Sequence, residues 1–186
     1  MPTIAIVYHS ETGRTKQMAE AIARGVIEAG CTVTLVSTSE LPSGVRAAEG
    51  GWQSLHGADA IVMGCPTYMG TVTADFKRFM DESGNVWFTQ GWRDKVAAGF
   101  SHSGGLSGDK LNTLVTMAVF AAQHGMQWAN VGILPNQFEE GLNRLGSYLG
   151  LMSQSDQKDD PPAEDIRTGE AFGRRLAEIT CRWCDR

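Results

Sequence analysis

The stretch IVYHSETGRTKQMA, residues 6–19, decides the fold. Its first three residues close the β-branched and aromatic run at residues 4–8, which suits a strand buried on both faces. From Thr15 the period changes. Met18, Ala19, Ile22, Ala23, Val26 and Ile27 recur at helical steps, while Lys16, Glu20, Arg24 and Glu28 take the other side, and Gly30 ends the helix. A strand therefore passes into a helix through a turn carrying Ser10, Thr12, Gly13 and Thr15. A helix N-terminus presents unpaired N–H groups and the positive end of its dipole, so with these hydroxyls around it the turn reads as a phosphate cradle.

Outward from this turn, residues 32–36 and 60–64 read as a second and a third strand. The irregular stretch between them passes through Pro42, Gly44, Gly50 and Gly51 and has room for a short helix at about residues 45–55. Phe76, Phe79 and Met80 place a helix within residues 73–83. Residues 96–100 read as a fourth strand, 111–123 as a strongly apolar helix, and 126–131 as a fifth strand. A polar segment, 153–162, includes Asp159-Asp160, read as a solvated charge run. It leads to a last helix with Ile166, Phe172, Leu176, Ile179 and Trp183 on its apolar face. Strands alternating with helices imply a parallel sheet covered on both faces by right-handed crossovers, a three-layer doubly wound α/β fold in one domain over residues 1–186.

Composition narrows the function. The 186 residues are 42% apolar and 20% charged, as in an ordinary globular domain. A net charge of −5 without a Lys/Arg-rich block argues against nucleic acid or an anionic membrane as partner. The absence of a bilayer-length apolar run or a signal-like start predicts a cytoplasmic protein. Cys31, Cys65, Cys181 and Cys184 are too scattered for a disulfide framework and read as reduced thiols. Cys181 and Cys184 have the spacing of a redox or metal pair, but no second pair or nearby histidine completes a zinc site, so they read as a helix end and no metal is expected.

Ligands of doubly wound sheets bind beyond the carboxyl ends of the strands where the winding reverses, and the cradle lies there. The chain lacks both the Gly/Lys-Ser/Thr nucleotide loop and the three spaced glycines of the dinucleotide fingerprint, which disfavours a triphosphate or a pyrophosphate. Hydroxyls and backbone amides suit the single terminal phosphate of a mononucleotide, with FMN as the leading candidate. After the third strand, Pro66, Thr67, Tyr68, Met69 and Gly70 face the same crevice. Tyr68 and Met69 can pack beside a flavin ring, and Gly70 can bring the backbone close to its edge. After the fourth strand, Ser101, His102, Ser103, Gly104 and Gly105 offer hydroxyls and flexible amides to the polar edge of the ring.

At this point a resemblance becomes specific. The run from Ile6 to Ala19, including Ser10, Glu11, Thr12, Gly13, Arg14 and Thr15, resembles the FMN-phosphate signature of the flavodoxin family, which implies a five-stranded sheet in the order 2-1-3-4-5. Together with Pro66-Thr67, Gly70, the Ser-Gly loop from Ser101, Trp87 and the string Ala122-Gln123-His124-Gly125-Met126, most of the chain resembles the WrbA-type NAD(P)H:quinone oxidoreductases. The resemblance implies FMN as cofactor, NADH or NADPH and a quinone as ping-pong substrates, His124 at the flavin and Trp87 at the substrate face. It also implies a homo-oligomer, dimer or tetramer. Tyr68 and Met69 stand where that family usually has Arg-Phe. Two other readings of the same residues remain open, a flavodoxin-like carrier of single electrons and a reductase that releases reduced flavin. Trp87, Phe88 and Trp92 read as an aromatic cluster exposed in a loop, the expected contact surface.

Overall fold

The computed structural model describes residues 1–42, 51–135, 141–156 and 158–184. Strands β1 (Thr3–Tyr8), β2 (Thr32–Ser37), β3 (Ala60–Pro66) and β4 (Val96–Ser103) lie parallel, and with β5 (Gln127–Trp128) they give the order β2-β1-β3-β4-β5. This is the expected flavodoxin-like topology. The alternation of side chains along β1 feeds two cores. Ala5 and Val7 join one core with Trp52, Phe76, Phe79, Leu114 and Met117, from helices α2 (Trp52–Gly57), α3 (Ala74–Glu82) and α5 (Lys110–Gln123), while α4 (Gly84–Phe88) adds Val86. Ile4, Ile6 and Tyr8 join the other with Met18, Ile22 and Val26 of α1 (Arg14–Glu28) and Phe172 and Leu176 of α6 (Ala163–Cys184). The helix expected at 45–55 is present as α2 from Trp52; its earlier part lies outside the described residues. Among the described residues no helix is long and apolar enough to cross a membrane.

The fifth strand position differs from expectation. Instead of one strand over residues 126–131, two short segments share that place: β5 pairs with Val96 and Ala97, and β6 (Leu151–Gln154) pairs with Phe100 to Ser103 farther along β4. The chain between them leaves the sheet and is tied back by polar side chains. Trp128 Nε1 donates to the Leu149 carbonyl at 2.8 Å, and Asn143 Nδ2 donates to the carbonyls of Ile133 and Ser147 at 2.7 and 2.9 Å. Arg144 makes a two-pronged pair with the buried Asp165 at 2.7 and 2.9 Å and also reaches the Gln154 carbonyl at 2.7 Å. The excursion therefore returns in register, and β6 carries the sheet to the end where ligands bind.

Helices α1 and α6 pack backbone against backbone. A Cβ on Gly173 would collide with the Ile22 carbonyl oxygen, and one on Gly25 with the Glu170 carbonyl oxygen. Because both obstacles are main chain, neither can swing aside. Gly173→Ala is expected to lower stability by about 3 kcal/mol, the cost of overpacking a rigid contact. Urea unfolding should show this as a lower midpoint at an unchanged m value.

Candidate functional site

A cavity of about 400 Å³ opens at the carboxyl ends of the central strands, within the size range of small-molecule sites. Its first wall is the β1–α1 turn, which contributes Glu11, Thr12, Arg14 and Thr15. Gly13 stands at the helix N-cap with φ +89, a left-handed conformation that glycine adopts without strain. The first intrahelical bond here runs from the Gln17 N–H to the Gly13 carbonyl, and Ser10 Oγ accepts the Lys16 N–H at 3.2 Å. The N–H groups of Gly13, Arg14 and Thr15 therefore have no intrahelical acceptor. Amide groups at the positive end of a 15-residue helix fit a terminal phosphate, as FMN carries.

The second wall is Pro66, Thr67 and Tyr68. Thr67 is fixed from behind, its Oγ1 lying 2.8 Å from Ser101 Oγ and 2.7 Å from Thr113 Oγ1, while Ser101 Oγ donates to the Cys65 carbonyl at 2.8 Å. The chain then reverses through Met69 at φ +48 and Gly70 at φ +83, with Tyr68 and Thr71 exchanging backbone hydrogen bonds of 3.1 and 3.2 Å. A positive φ at methionine is uncommon, and this Met69 projects fully into solvent. Tyr68 crosses toward the first wall and donates its hydroxyl to Glu11 Oε2 at 3.0 Å.

The third wall is His102, Ser103 and Gly104, joined by Ser155 from the chain following β6. His102 is buried, with Nδ1 2.8 Å from Ser153 Oγ and Nε2 3.5 Å from Ser155 Oγ. Burial, reinforced by the positive charges of Arg14, Lys110 and Arg144, lowers its pKa to about 4, so the imidazole is neutral near pH 7. Ser103 and Gly105 are held from beneath by the fully buried Lys110, whose ammonium donates to Ser103 Oγ at 2.8 Å and to the carbonyls of Gly105 and Leu106 at 2.7 and 3.1 Å.

Three of these walls were expected from the strand ends, and the structure brings them together. Ser10, Gly13, Ser101 and Gly105 support the walls from behind, and Met69 and Gly70 form the turn after the second wall without lining the cavity. Trp87 and His124 lie elsewhere. His124 is buried between Trp92 and Phe120, with ring centroids 4.7 Å from each. Ser83 Oγ donates to the Met80 carbonyl at 2.7 Å and so accepts from His124 Nε2 at 2.9 Å. Nδ1 is left as a buried acceptor with no partner among the described residues, and burial lowers the pKa of His124 to about 4. Trp87 is 44% exposed and Phe88 81% exposed on α4, but Trp92 is fully buried against Trp52 and donates Nε1 to His56 Nδ1 at 3.0 Å. The expected exposed cluster thus loses one of its three members to the core.

Sequence reasoning missed three contributors. Lys110 stands just before the helix expected at 111–123 and carried no reading, and Ser155 lay in a segment read as merely polar. Asp159-Asp160 is not just solvated: Arg14 Nε donates to the Asp159 carbonyl and Gln17 Nε2 to Asp160 Oδ1, each at 2.7 Å. Asp159 and Asp160 buttress the β1–α1 turn.

The fold and this cavity define a flavodoxin-like protein. The NADPH-dependent FMN reductase family matches residues 2–139, and the chain belongs to it. A crystal structure of a WrbA-like flavodoxin from Agrobacterium tumefaciens is 35% identical, with a TM-score of 0.76 over 98% of this chain and 99% of that one. Flavodoxin FldP of Pseudomonas aeruginosa is 35% identical over 96% of this chain and 97% of its own length. A protein of Archaeoglobus fulgidus named NAD(P)H dehydrogenase (quinone) is 30% identical over 99% of this chain and 100% of its own. The chain is thus of the WrbA-like flavodoxin type, and FMN is its cofactor.

The two buried histidines give the protein an acid-sensitive stability. Each has its pKa lowered from 6.5 to about 4, so between these values the unfolded chain binds more protons than the folded one. Their contribution is complete above pH 6.5 and is lost as pH falls toward 4. Urea midpoints of the apoprotein should decline across that window, and His102→Asn should make the decline shallower. An equal slope in the variant would show that His102 titrates normally.

Proposed function

We propose that the protein is an FMN-dependent oxidoreductase of the cytoplasm that passes an electron pair from NADH or NADPH to a quinone in a ping-pong sequence. The observation that carries this reading is the cavity, where the N-terminus of α1 faces two loops rich in hydroxyls and amides. The relatives named NAD(P)H dehydrogenase (quinone) and the NADPH-dependent FMN reductase family support it. When bound, FMN supplies a hydride acceptor and returns the electrons to the second substrate. The chain's part is placement: Gly13, Arg14 and Thr15 amides hold the phosphate, and Thr67, His102, Ser103 and Gly104 offer hydrogen bonds without a net charge. Tyr68 closes one side through Glu11.

FMN should bind at least about 100-fold more tightly than riboflavin, since even two of these three charge-assisted hydrogen bonds contribute about 1.5 kcal/mol each. Isothermal titration of the apoprotein with both compounds checks this, and equal affinities would remove the phosphate from the β1–α1 turn.

A carrier of single electrons is the second reading, favoured by the 35% identity to a protein named flavodoxin. Anaerobic mixing separates the two. NADH or NADPH should bleach the flavin absorbance of the holoprotein, and benzoquinone should restore it; failure with both donors would assign the protein to the carriers.

The exposed Trp87 and Phe88 support a homo-oligomer whose protomers meet at α4, which would bring Trp87 to a neighbouring substrate face. Trp87→Ala should lower quinone turnover while FMN content stays normal. An unaltered KM and kcat would take Trp87 out of the site, and a fully active monomer in light scattering would remove the shared face.

A further inference from the structure

At the end of the molecule opposite the phosphate turn, three of the four thiols gather. Cys31 follows α1 and is buried, with its N–H bonded to the Val26 carbonyl at 3.2 Å. Cys181 lies in the last turns of α6, half-buried, and its Sγ is 3.7 Å from Cys31 Sγ. The exposed Cys184 follows three residues later on the same helix. Trp183 Nε1 donates to the Asp94 carbonyl at 2.7 Å and pins this end of α6 to the body of the protein. Two thiols 150 residues apart in sequence thus meet in a contact that both backbones hold in place.

We propose that Cys31 and Cys181 form a reversible disulfide site that responds to hydroperoxides. To bond, the sulfurs have to close from 3.7 Å to about 2.05 Å. The half-buried Cys181 reacts first: its sulfur takes the terminal oxygen of hydrogen peroxide, the O–O bond breaks, and one water leaves. Cys31 sulfur then attacks the sulfenic sulfur. The S–S bond forms, the S–O bond breaks, and the Cys31 proton leaves with the hydroxyl as a second water. The thiol pair loses two electrons and the peroxide gains them. Burial, followed by the hydrogen bond with Cys181, raises the Cys31 pKa to about 11, which makes Cys31 a poor first target for peroxide; its place in the second step rests on its contact with Cys181.

The crosslink would fasten the C-terminal end of α6 to the end of α1. These are the two helices whose glycines already meet backbone to backbone, and α1 carries the phosphate turn at its other end. The expected consequence is a more heat-resistant protein under oxidation, because the bond closes a loop spanning most of the chain.

Hydrogen peroxide added to the holoprotein, followed by alkylation and peptide mass analysis without reductant, tests the site. Titratable thiols should fall from four to two, and a single crosslinked species should join the peptides of Cys31 and Cys181. Thermal unfolding should shift upward by several degrees and return on adding dithiothreitol. Cys184→Ser should keep both effects, while Cys31→Ser and Cys181→Ser should each lose them. A Cys181–Cys184 bond, a Cys184–Cys184 bond between chains, or sulfinic acid without any crosslink would overturn the proposal. Diamide supplies a second oxidant: failure to link Cys31 to Cys181 with either reagent would show that the sulfurs do not meet.

Discussion

The site depends on how the central strand ends. β1 lies between β2 and β3, so its carboxyl end is where the winding of the sheet reverses, and its chain must enter α1 without crossing the crevice. Gly13 permits that entry with φ +89, and the helix starts at once with its N–H groups aimed back over the strand ends. A residue with a Cβ at this position would adopt the same backbone only with strain. The helix so placed is held against the sheet by Met18, Ile22 and Val26 and against α6 by the glycine contacts. The dipole direction at the site is therefore a product of core packing, and the polar residues of the turn refine a direction that apolar residues set.

The remaining walls inherit their positions from the same sheet. β3 and β4 run in register from Ala60 with Val96 to Pro66 with His102, so the loops that follow them leave the sheet side by side. Two interactions then shape those loops. The hydroxyl chain of Thr67, Ser101 and Thr113 ties the second wall to the third, and the buried Lys110 closes the third wall on itself. Burying an ammonium is costly, and its three oxygen partners offset that cost while fixing the loop's path.

What was legible in the sequence follows from what repeats locally. β1, α1, β2, β3 and β4 announce themselves through periodicity, and the three loops of the cavity follow once the strand ends are known. The divided fifth strand was not legible, because β5 has two residues and β6 four, too few to carry a period, and their register rests on Arg144 with Asp165 and on Trp128 with Leu149. Trp92 was misplaced for a related reason: its cover is Trp52, His56, Phe79, Phe120 and His124, drawn from distant segments. Lys110, Ser155 and Asp160 likewise matter only through partners far away in sequence or around a loop.

Charge in this molecule is segregated, and that bears on what the cavity can hold. The chain carries a net −5, yet the cations Arg14, Lys110 and Arg144 all act on His102, and each disfavours its protonation. Desolvation does most of that work, and the cations add to it. The consequence is a division of labour within one pocket: cations and helix N–H groups supply the field that favours an anion, while the imidazole between Ser153 and Ser155 remains a neutral hydrogen-bonding surface. Glu11 is the carboxylate lining this cavity, and Tyr68 donates its hydroxyl to it. A pocket built this way suits the phosphate monoester of the proposed function against the overall charge of the protein, and its imidazole stays a neutral partner near pH 7.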